Sequence, residues 1–455
     1  MRLVNRENMY SHFSTYSAIL FVGMTTKKFR NIRPVLISIV TFCSILGVSA
    51  GVIAYGRGYR IDIKKSSLKP TGLLSTISDP VGAQVFIEGK LKTATNNSVA
   101  IEPGWYTVTI SKEGYISWQK KIRVQGEVVS KTDAVLFPSN PSLSPLTNLG
   151  IERPILSPDG NKIAYIVPQA QLQDGLEKKA GLWVYTLSEG PLGRNRDPIQ
   201  IAPFTDGIDI QKASIVWSPD STQLLIHNSI IYHLYQINRQ GTYTDVTLTH
   251  ETLLADWTGE RDIKEHQKLE AFDPQIIDIA TSSARIISFS PDETKILYEA
   301  TASATLPIAI NPPLIGANST NEDRSIVQGK IYVYDSKEDK NYLLIDTKEV
   351  KLPSASPTPT SIKNAIKQIQ KPAVSPPIRI DEFIHWFPTS RHIILTLQGK
   401  IDILEYDRTN WATIYSGPFV DGFVAPWSNG SRVIIMTNLN GNAATLPNLY
   451  TVNLR

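Results

Sequence analysis

The chain has 455 residues, of which 42 % are hydrophobic and 19 % are charged, with 46 Lys and Arg against 42 Asp and Glu. These proportions are those of a globular protein and exclude a disordered chain, and the length predicts two or three folded units. Residues 1–65 contain ten of the Lys and Arg residues and two of the Asp and Glu residues, so the rest of the chain has 36 basic and 40 acidic residues. Because this larger part is slightly acidic, we predict no nucleic-acid surface. The single cysteine, Cys43, excludes a disulfide framework and a cysteine-based metal site.

The first predicted element is an apolar helix. Residues 35–55 contain no charge, and 21 residues in a helix cross the roughly 30 Å hydrocarbon core of a bilayer. We predict a cytoplasmic basic tail over 1–33 and a transmembrane helix over 34–56, with the later domains outside the cytoplasm of a single-pass cell-membrane protein. A cleaved signal peptide is the alternative, and Met24 could be the true start.

A small all-β unit follows, because Ala83, Val85 and Ile87 alternate with polar residues as in a one-sided strand. The turns and strand ends of this unit have a recurring set of residues: Pro80, Gly82, Ala83, Pro103, Gly104, Tyr106, Gly114 and Tyr115. On these residues the unit resembles the PEGA domain, an immunoglobulin-like β-sandwich, over 68–138, although Val81 replaces the glutamate of the family motif. The resemblance implies extracytoplasmic placement and a spacer or adhesive role.

Residues 138–145 are rich in Pro and Ser and are interpreted as a linker into a repeat region over 145–455. Each repeat places a Ser-Pro-Asp turn between two apolar strands, and another apolar strand follows. The well-preserved copies contain Ser157, Pro158, Asp159 and Gly160; Ser218, Pro219 and Asp220; and Ser290, Pro291 and Asp292. The turn residues are interpreted as structural, since Pro presets φ and the Asp side chain can accept a bond from a backbone N–H two residues on.

Two degraded copies align Phe387 and Ser428 with these serines. The repeats resemble Tol-system, WD-repeat-like β-propeller repeats, and we expect five or six blades, with the C-terminal strand closing the ring. Uneven spacing predicts insertions around 250–280, with helical character, around 301–328, and over 352–377. The fold class is therefore mainly β, with an N-terminal transmembrane helix, a small β-sandwich and a β-propeller with loop and helix insertions.

No catalytic or metal motif is found in the sequence. His250-Glu251 begins like a zinc-protease motif, but Leu254 occupies the position of the second histidine. Hydrolases of the prolyl-oligopeptidase type carry similar repeats, yet we expect no room for a hydrolase domain after the last blade. Trp217, Trp386 and Trp427 are expected to pack between blades.

We therefore predict a membrane-anchored, extracytoplasmic protein of the cell envelope. It is expected not to be an enzyme, to need no cofactor or metal, and to bind or scaffold an unknown protein or cell-wall glycan, but not nucleic acid. A propeller-borne hydrolase and a signal-sensing ectodomain are the alternatives.

Overall fold

The computed structural model describes residues 32–56, 59–62, 67–169, 172, 175–189, 197–204, 207–313, 318–348, 350–351, 382–420, 423–439 and 445–455. The chain divides into two compact units, Met1–Thr71 and Gly72–Arg455. The predicted mainly-β fold, with one apolar helix near the N-terminus, is confirmed.

The N-terminal unit contains an apolar helix and one hairpin. Helix α1 (Ile32–Gly56) is followed by β1 (Tyr59–Asp62), which pairs antiparallel with β2 (Ser67–Pro70). Within α1, Pro34–Gly56 has a mean hydropathy of 2.3, so it is long and apolar enough to cross a membrane by length and composition. Among the described residues, the side chains of this segment are exposed, apart from that of Ala54, which is partly buried.

The second unit begins with a sandwich of two sheets over one apolar core. Both sheets have a buried inner face, because alternate side chains such as Leu74 and Ala134 in one sheet and Val85 and Val108 in the other point inward and are fully buried. One sheet contains, in spatial order, β6 (Asn97–Ile101), β3 (Gly72–Asp79) and β9 (Val129–Val135). The other contains β5 (Lys90–Ala94), β4 (Gln84–Ile87), β7 (Gly104–Ser111) and β8 (Trp118–Val124).

Five four-stranded antiparallel sheets follow in the described part of the chain, each one blade of a propeller. Blade 1 contains β11 (Glu152–Leu156), β12 (Lys162–Val167), β13 (Gly181–Thr186) and β14 (Ile199–Pro203). Blade 2 contains β15 (Ser214–Trp217), β16 (Gln223–His227), β17 (Tyr232–Gln236) and β18 (Tyr243–Asp245). Blade 3 contains β19 (Ala284–Phe289), β20 (Lys295–Ala300), β23 (Lys330–Asp335) and β24 (Lys340–Asp346). Blade 4 contains β25 (Ile384–Trp386), β26 (His392–Leu397), β27 (Lys400–Glu405) and β28 (Ala412–Ser416).

Blade 5 closes the ring with strands from both ends of the propeller. It contains β29 (Val424–Pro426), β30 (Arg432–Thr437), β31 (Asn448–Asn453) and, outermost, β10 (Leu143–Pro145). Leu143 is opposite Val452 and Pro145 is opposite Tyr450. The interpretation of 138–145 as a linker is therefore wrong for its last three residues, because their backbone groups pair with β31.

Among the described residues, apolar clusters join four of the five pairs of neighbouring blades, which is why the second strand of a blade is an almost uninterrupted apolar run. Separate clusters join blades 1 and 2, blades 3 and 4, blades 4 and 5, and blades 5 and 1. Trp217, Trp386 and Trp427 each lie in one of these clusters and are at most 7 % exposed, so their expected packing between blades is confirmed.

The first insertion is helical, as expected. It contains α2 (His250–Leu269) and α3 (Pro274–Ser282). Helix α3 begins where the Asp273 side chain accepts a hydrogen bond from Gln275 N at 2.9 Å, with Pro274 in the first turn. The second insertion contains a short hairpin of β21 (Ala304–Thr305) and β22 (Ser325–Ile326). The predicted insertion over 352–377 lies outside the described residues.

Candidate functional site

The three Ser-Pro-Asp turns share one hydrogen-bond arrangement between the first and second strands of their blades. The hydroxyls of Ser157, Ser218 and Ser290 donate to the carboxylates of Asp159, Asp220 and Asp292, two residues on. The same hydroxyls accept the N–H groups of Lys162, Gln223 and Lys295 at 2.9–3.0 Å. Burial raises the pKa of each aspartate, but the hydrogen bonds from these serines and from backbone amides outweigh it and lower the pKa overall.

Two of these turns are also bonded to the next blade, through a serine at the fourth position of that blade's turn. Ser221 and Ser390 have a left-handed backbone, each with φ +59°. Their hydroxyls accept the N–H groups of Asp159 and Asp292 in the preceding blade, at 3.1 and 2.9 Å. Pro158, Pro219 and Pro291 lie between the bonded serine and aspartate of each turn. Gly160 occupies the same left-handed position in blade 1, with φ +68°.

The degraded copies adopt the same turn with a different register in blade 5. Phe387 N donates to His392 O, and Trp427 N donates to Arg432 O, as Ser157 N donates to Lys162 O. Trp427, and not Ser428, is therefore the equivalent of Ser157. Blade 5 has no Ser-Pro pair that marks the first turn position. The predicted alignment of Ser428 with Ser157 was therefore wrong by one residue.

The residues of the PEGA-like motif lie in the turns and strand ends of the sandwich. Gly82 and Gly114 have φ of +75° and +79°, which a side chain would strain. Ala83 is fully buried and its N–H donates to Thr95 Oγ1 at 3.0 Å, and the Pro80 carbonyl accepts from Ser78. Pro103 is exposed beside Gly104, which lies against the ring of Tyr106.

Two aromatic residues of this motif hold loops of the sandwich in place. The Tyr106 hydroxyl donates a hydrogen bond to Glu102 O at 2.9 Å, which stabilises the loop before β7. Tyr115 forms a backbone bridge with Pro138, and the adjacent Ile116 N donates to Phe137 O at 2.8 Å. The second contact lies where the chain leaves the sandwich for the propeller.

A buried charge cluster joins the sandwich to blade 4, and we call it the junction cluster: Trp118, Lys120, Asn318, Glu405 and Asp407. Lys120 Nζ lies 2.7 Å from Glu405 Oε2 and 2.8 Å from Asp407 Oδ2, and the Asp407 side chain is 0 % exposed. Trp118 Nε1 also donates to Glu405, and Asn318 Nδ2 donates to Asp407 at 2.7 Å.

The electrostatics of the junction cluster favour the charged forms. Burial lowers the pKa of Lys120, but the charges of Glu405 and Asp407 outweigh it and raise that pKa overall. Burial raises the pKa of Asp407, but the charge of Lys120 and hydrogen bonds from Lys120, Thr409 and Asn318 lower it to about 2. An unpaired charge in this position would be costly, so these groups stabilise the junction only together.

Apolar and exposed contacts extend the junction. Phe137 packs edge-on against Phe387 and His392, with ring centroids 5.9 and 5.3 Å apart. At the exposed edge of the junction, Arg391 Nη1 lies 2.8 Å from Asp133 Oδ2. No sequence pattern marks this site, because the pair Trp118 and Lys120 is 285 or more positions from the pair Glu405 and Asp407.

The described residues of the propeller form open grooves on blades 1 and 4. The blade 1 groove has a volume of about 430 Å³, and its lining includes Leu146, Leu149, Tyr165, Lys179 and Trp183. The blade 4 groove has a volume of about 510 Å³. It is lined by Val350, Lys351, Leu397, Gln398, Lys400, Arg408 and Trp411.

The histidines are dispersed over the described residues. His392 is buried, with Nδ1 2.9 Å from Thr389 Oγ1, and its burial lowers its pKa to about 4. His227 and His250 stack on the two sides of Tyr232. Among the residues that the structure describes, no group of three or more His, Cys, Asp or Glu side chains is arranged to hold a metal ion.

Comparison with known proteins gives one family match. Residues 71–140 match the PEGA domain family. No curated protein matches the chain. Among solved structures, the chain is similar to the putative TolB from Agrobacterium tumefaciens, with 14 % identity, 65 % of this chain and 73 % of that chain covered, and a TM-score of 0.20. It is also similar to a chain of the mitotic checkpoint complex, with 10 % identity, 71 % and 98 % covered, and a TM-score of 0.28.

Five four-stranded blades, with β10 paired to β31 to close the ring, make the second fold a β-propeller. The expected resemblance to the PEGA domain is confirmed. Residues 71–140 form a PEGA domain, and a β-propeller follows it.

Proposed function

We propose that this protein is anchored in a membrane by α1 and acts outside the cytoplasm as a non-catalytic binding or scaffolding protein of the cell envelope. The observation that carries the proposal is the junction cluster. Its buried charges bind the PEGA domain to blade 4, so the two β domains form one body and are not independent domains joined by a linker. Such a body suits the presentation of a propeller surface to a partner.

The anchor is supported by the apolar surface of α1. Val35, Phe42 and Val48 are 60–67 % exposed on this helix. A contiguous apolar surface of this length is not stable in water, and a bilayer would cover it. A cleaved signal peptide would have the same composition, so the two are separated by whether residues 32–56 remain in the mature protein.

The non-catalytic part of the proposal is supported by the engagement of the motif serines. Each hydroxyl already donates to an aspartate and accepts a backbone N–H within its own turn. A nucleophilic serine needs an adjacent base that takes its proton, and an aspartate with a lowered pKa is a poor base. The hydrogen bonds suit a turn cap better than a nucleophile.

Cell fractionation of the full-length protein tests the proposal. We expect the protein in the membrane fraction, resistant to carbonate extraction, with residues 32–56 present by mass spectrometry. Protease added to intact cells should degrade the propeller. A soluble mature protein that lacks residues 32–56 would contradict the anchor, and a propeller protected until lysis would contradict the exported orientation.

A further inference from the structure

An amine and a side-chain amide contact the same carboxylate oxygen in the junction cluster. Lys120 Nζ lies 2.8 Å from Asp407 Oδ2, and Asn318 Nδ2 donates to this oxygen at 2.7 Å. Asn318 and Asp407 are only 9 % and 2 % exposed, and the side chain of Lys120 is 13 % exposed. A nucleophile, a carbonyl carbon and a proton carrier are therefore held together in a site that is shielded from bulk water.

Thr320 contributes two hydrogen bonds to this site. Its N–H donates to Asn318 Oδ1 at 3.0 Å, where negative charge would develop if an amine attacked the amide carbon. Its hydroxyl donates to Asp407 Oδ2 at 2.9 Å. A buried asparagine normally has bonded polar atoms, so these bonds alone indicate only a structural role. The combination of an amine, an amide and a shared carboxylate is what permits a reaction.

We propose that Lys120 Nζ and Asn318 Cγ form an isopeptide bond, which joins β8 of the PEGA domain covalently to the second insertion of the propeller. Asp407 takes one proton from the Lys120 ammonium, and the resulting amine attacks Asn318 Cγ. A second proton of the amine passes through Asp407 to Nδ2, and the Cγ–Nδ2 bond breaks. The products are one secondary amide, one ammonia molecule and a neutral Asp407 carboxyl group, so atoms and charges balance.

The electrostatics of the site support this direction of reaction. Burial raises the pKa of Asp407, and the charge of Lys120 is the largest effect that lowers it. When Lys120 becomes a neutral amide, that effect is lost, and burial favours the protonated carboxyl group. Glu405 remains charged, with hydrogen bonds from Trp118 and Asn410.

The reaction needs to occur only once in each molecule. Burial lowers the pKa of Lys120, but its two carboxylate partners raise it overall, so the neutral amine is rare and the reaction is slow. The fixed geometry compensates, because groups held in contact react as if at a very high local concentration. A cavity of about 160 Å³, whose lining includes Lys120, Asn318 and Glu405, gives the ammonia space to leave, and its loss makes the bond permanent.

Peptide mapping of the full-length protein tests the inference. The purified protein is denatured, digested with trypsin and analysed by mass spectrometry. We expect one branched peptide that contains both positions 120 and 318, with a mass lower by one ammonia, about 17 Da, than the sum of its two parts. Trypsin should also fail to cleave after Lys120, because an acylated lysine has no charge. Separate peptides, with cleavage after Lys120, would overturn the proposal.

Two variants locate the bond, and a third is the matched control. Lys120→Arg keeps the cation but has no amine that can react, and Asn318→Ala has no amide carbon. Neither should give the branched peptide, and both should migrate differently from the wild type on a denaturing gel, because their chains contain no covalent loop. Lys121→Arg, on the other face of β8, should keep the product. A branched peptide that has lost water instead of ammonia would place the bond on Asp407 or Glu405 and overturn the assignment.

Asp407→Asn tests the role of the carboxyl group. Lys120 and Asn318 are unchanged in this variant, so a bond that forms by proximity alone would persist. We expect the folded variant, identified by its melting temperature, to give at least tenfold less branched peptide. A wild-type yield would overturn the role of Asp407, and the map of the wild type decides the bond itself if this variant does not fold. The bond does not depend on membrane location, so its absence would leave the proposed function standing.

Discussion

Single side chains link the turns of neighbouring blades. Ser221 is fully buried, and its hydroxyl accepts the N–H of Asp159 from the preceding blade at 3.1 Å. We expect Ser221→Ala to lower the free energy of unfolding by about 1 kcal/mol, because the hydrogen bond between blades 1 and 2 is lost. Urea unfolding of the purified protein measures this change.

The control for this variant is Glu293→Ala. Glu293 occupies the same turn position with a left-handed backbone, φ +55°, but it pairs with Lys268 at 3.1 Å on the surface. Its replacement should cost less than about 0.5 kcal/mol, as exposed ion pairs do. Equal costs at the two positions would mean that the bond between blades contributes nothing.

His392 makes the stability of the protein depend on pH. Burial lowers its pKa to about 4, whereas an unfolded histidine titrates near 6.5. Below pH 6.5 the unfolded state therefore binds a proton that the folded state does not, and stability falls as pH drops from about 6.5 to about 4. The loss is of order 3 kcal/mol.

The measurement is urea unfolding at a series of pH values for the wild type and for His392→Gln. Between pH 6.5 and 4 the variant should lose clearly less stability than the wild type, whatever its absolute stability. Below that window, both proteins should lose stability as Asp407 and Glu405, whose pKa values are lowered, become protonated. A wild-type slope that survives in His392→Gln would rule out this histidine as the cause.

The register of a blade turn could be predicted from the sequence where the Ser-Pro-Asp motif is intact, but not where its residues have been replaced. The Ser-Pro-Asp copies could be aligned because Pro fixes one backbone dihedral and marks the turn position. In blade 5 the turn is formed by Trp427, Ser428, Asn429 and Gly430, and only the backbone bonds from Trp427 and Gly430 define its register.

At the scale of elements, the propeller depends on strand β31. It lies between β30 and β10, and Leu449 and Val452 are fully buried. Deletion of residues 447–455 should lower the melting temperature of the whole propeller by more than 10 °C or prevent folding, because the deletion leaves two strand edges and two apolar clusters uncovered. Differential scanning calorimetry measures the change.

Removal of Arg455 alone is the control for this deletion. Arg455 is exposed and pairs with Asp79 at 2.6 Å, so its loss should shift the melting temperature by only a few degrees. A propeller that melts normally without residues 447–455 would show that closure through β31 and β10 does not stabilise the ring.

Elements with a local pattern could be predicted from the sequence, and elements defined by distant pairing could not. The central blade strands and helix α2 have their own apolar or helical character. Strand β10 has only three residues, in a segment rich in Pro and Ser, and it becomes a strand because β31 pairs with it from the other end of the propeller. No local window contains that information.

At the scale of the whole molecule, the junction cluster determines whether the PEGA domain and the propeller act as one body. Lys120 is separated from Glu405 by 285 positions in the sequence, so neither its partner nor its burial could be predicted. What the sequence did predict, a sandwich followed by a propeller, leaves the two domains independent. Their coupling depends on this cluster and on Phe137.

Lys120→Met tests that coupling. The variant leaves Glu405 and Asp407 buried without their cation, so we expect it to lower the free energy of unfolding by about 3–5 kcal/mol. We also expect one calorimetric transition in the wild type and two in the variant, as the sandwich and propeller separate.

Two further variants test whether the expected effects of Lys120→Met come from the lost ion pairs or from a general disruption of β8. Lys121→Met changes the next residue, which is exposed on the other face of the strand, and should keep the single transition. Combining Lys120→Met with Glu405→Gln and Asp407→Asn removes the two buried negative charges that have lost their cation, and it should recover part of the lost stability. Two transitions in Lys121→Met, or no recovery in the triple variant, would locate the coupling outside the junction cluster.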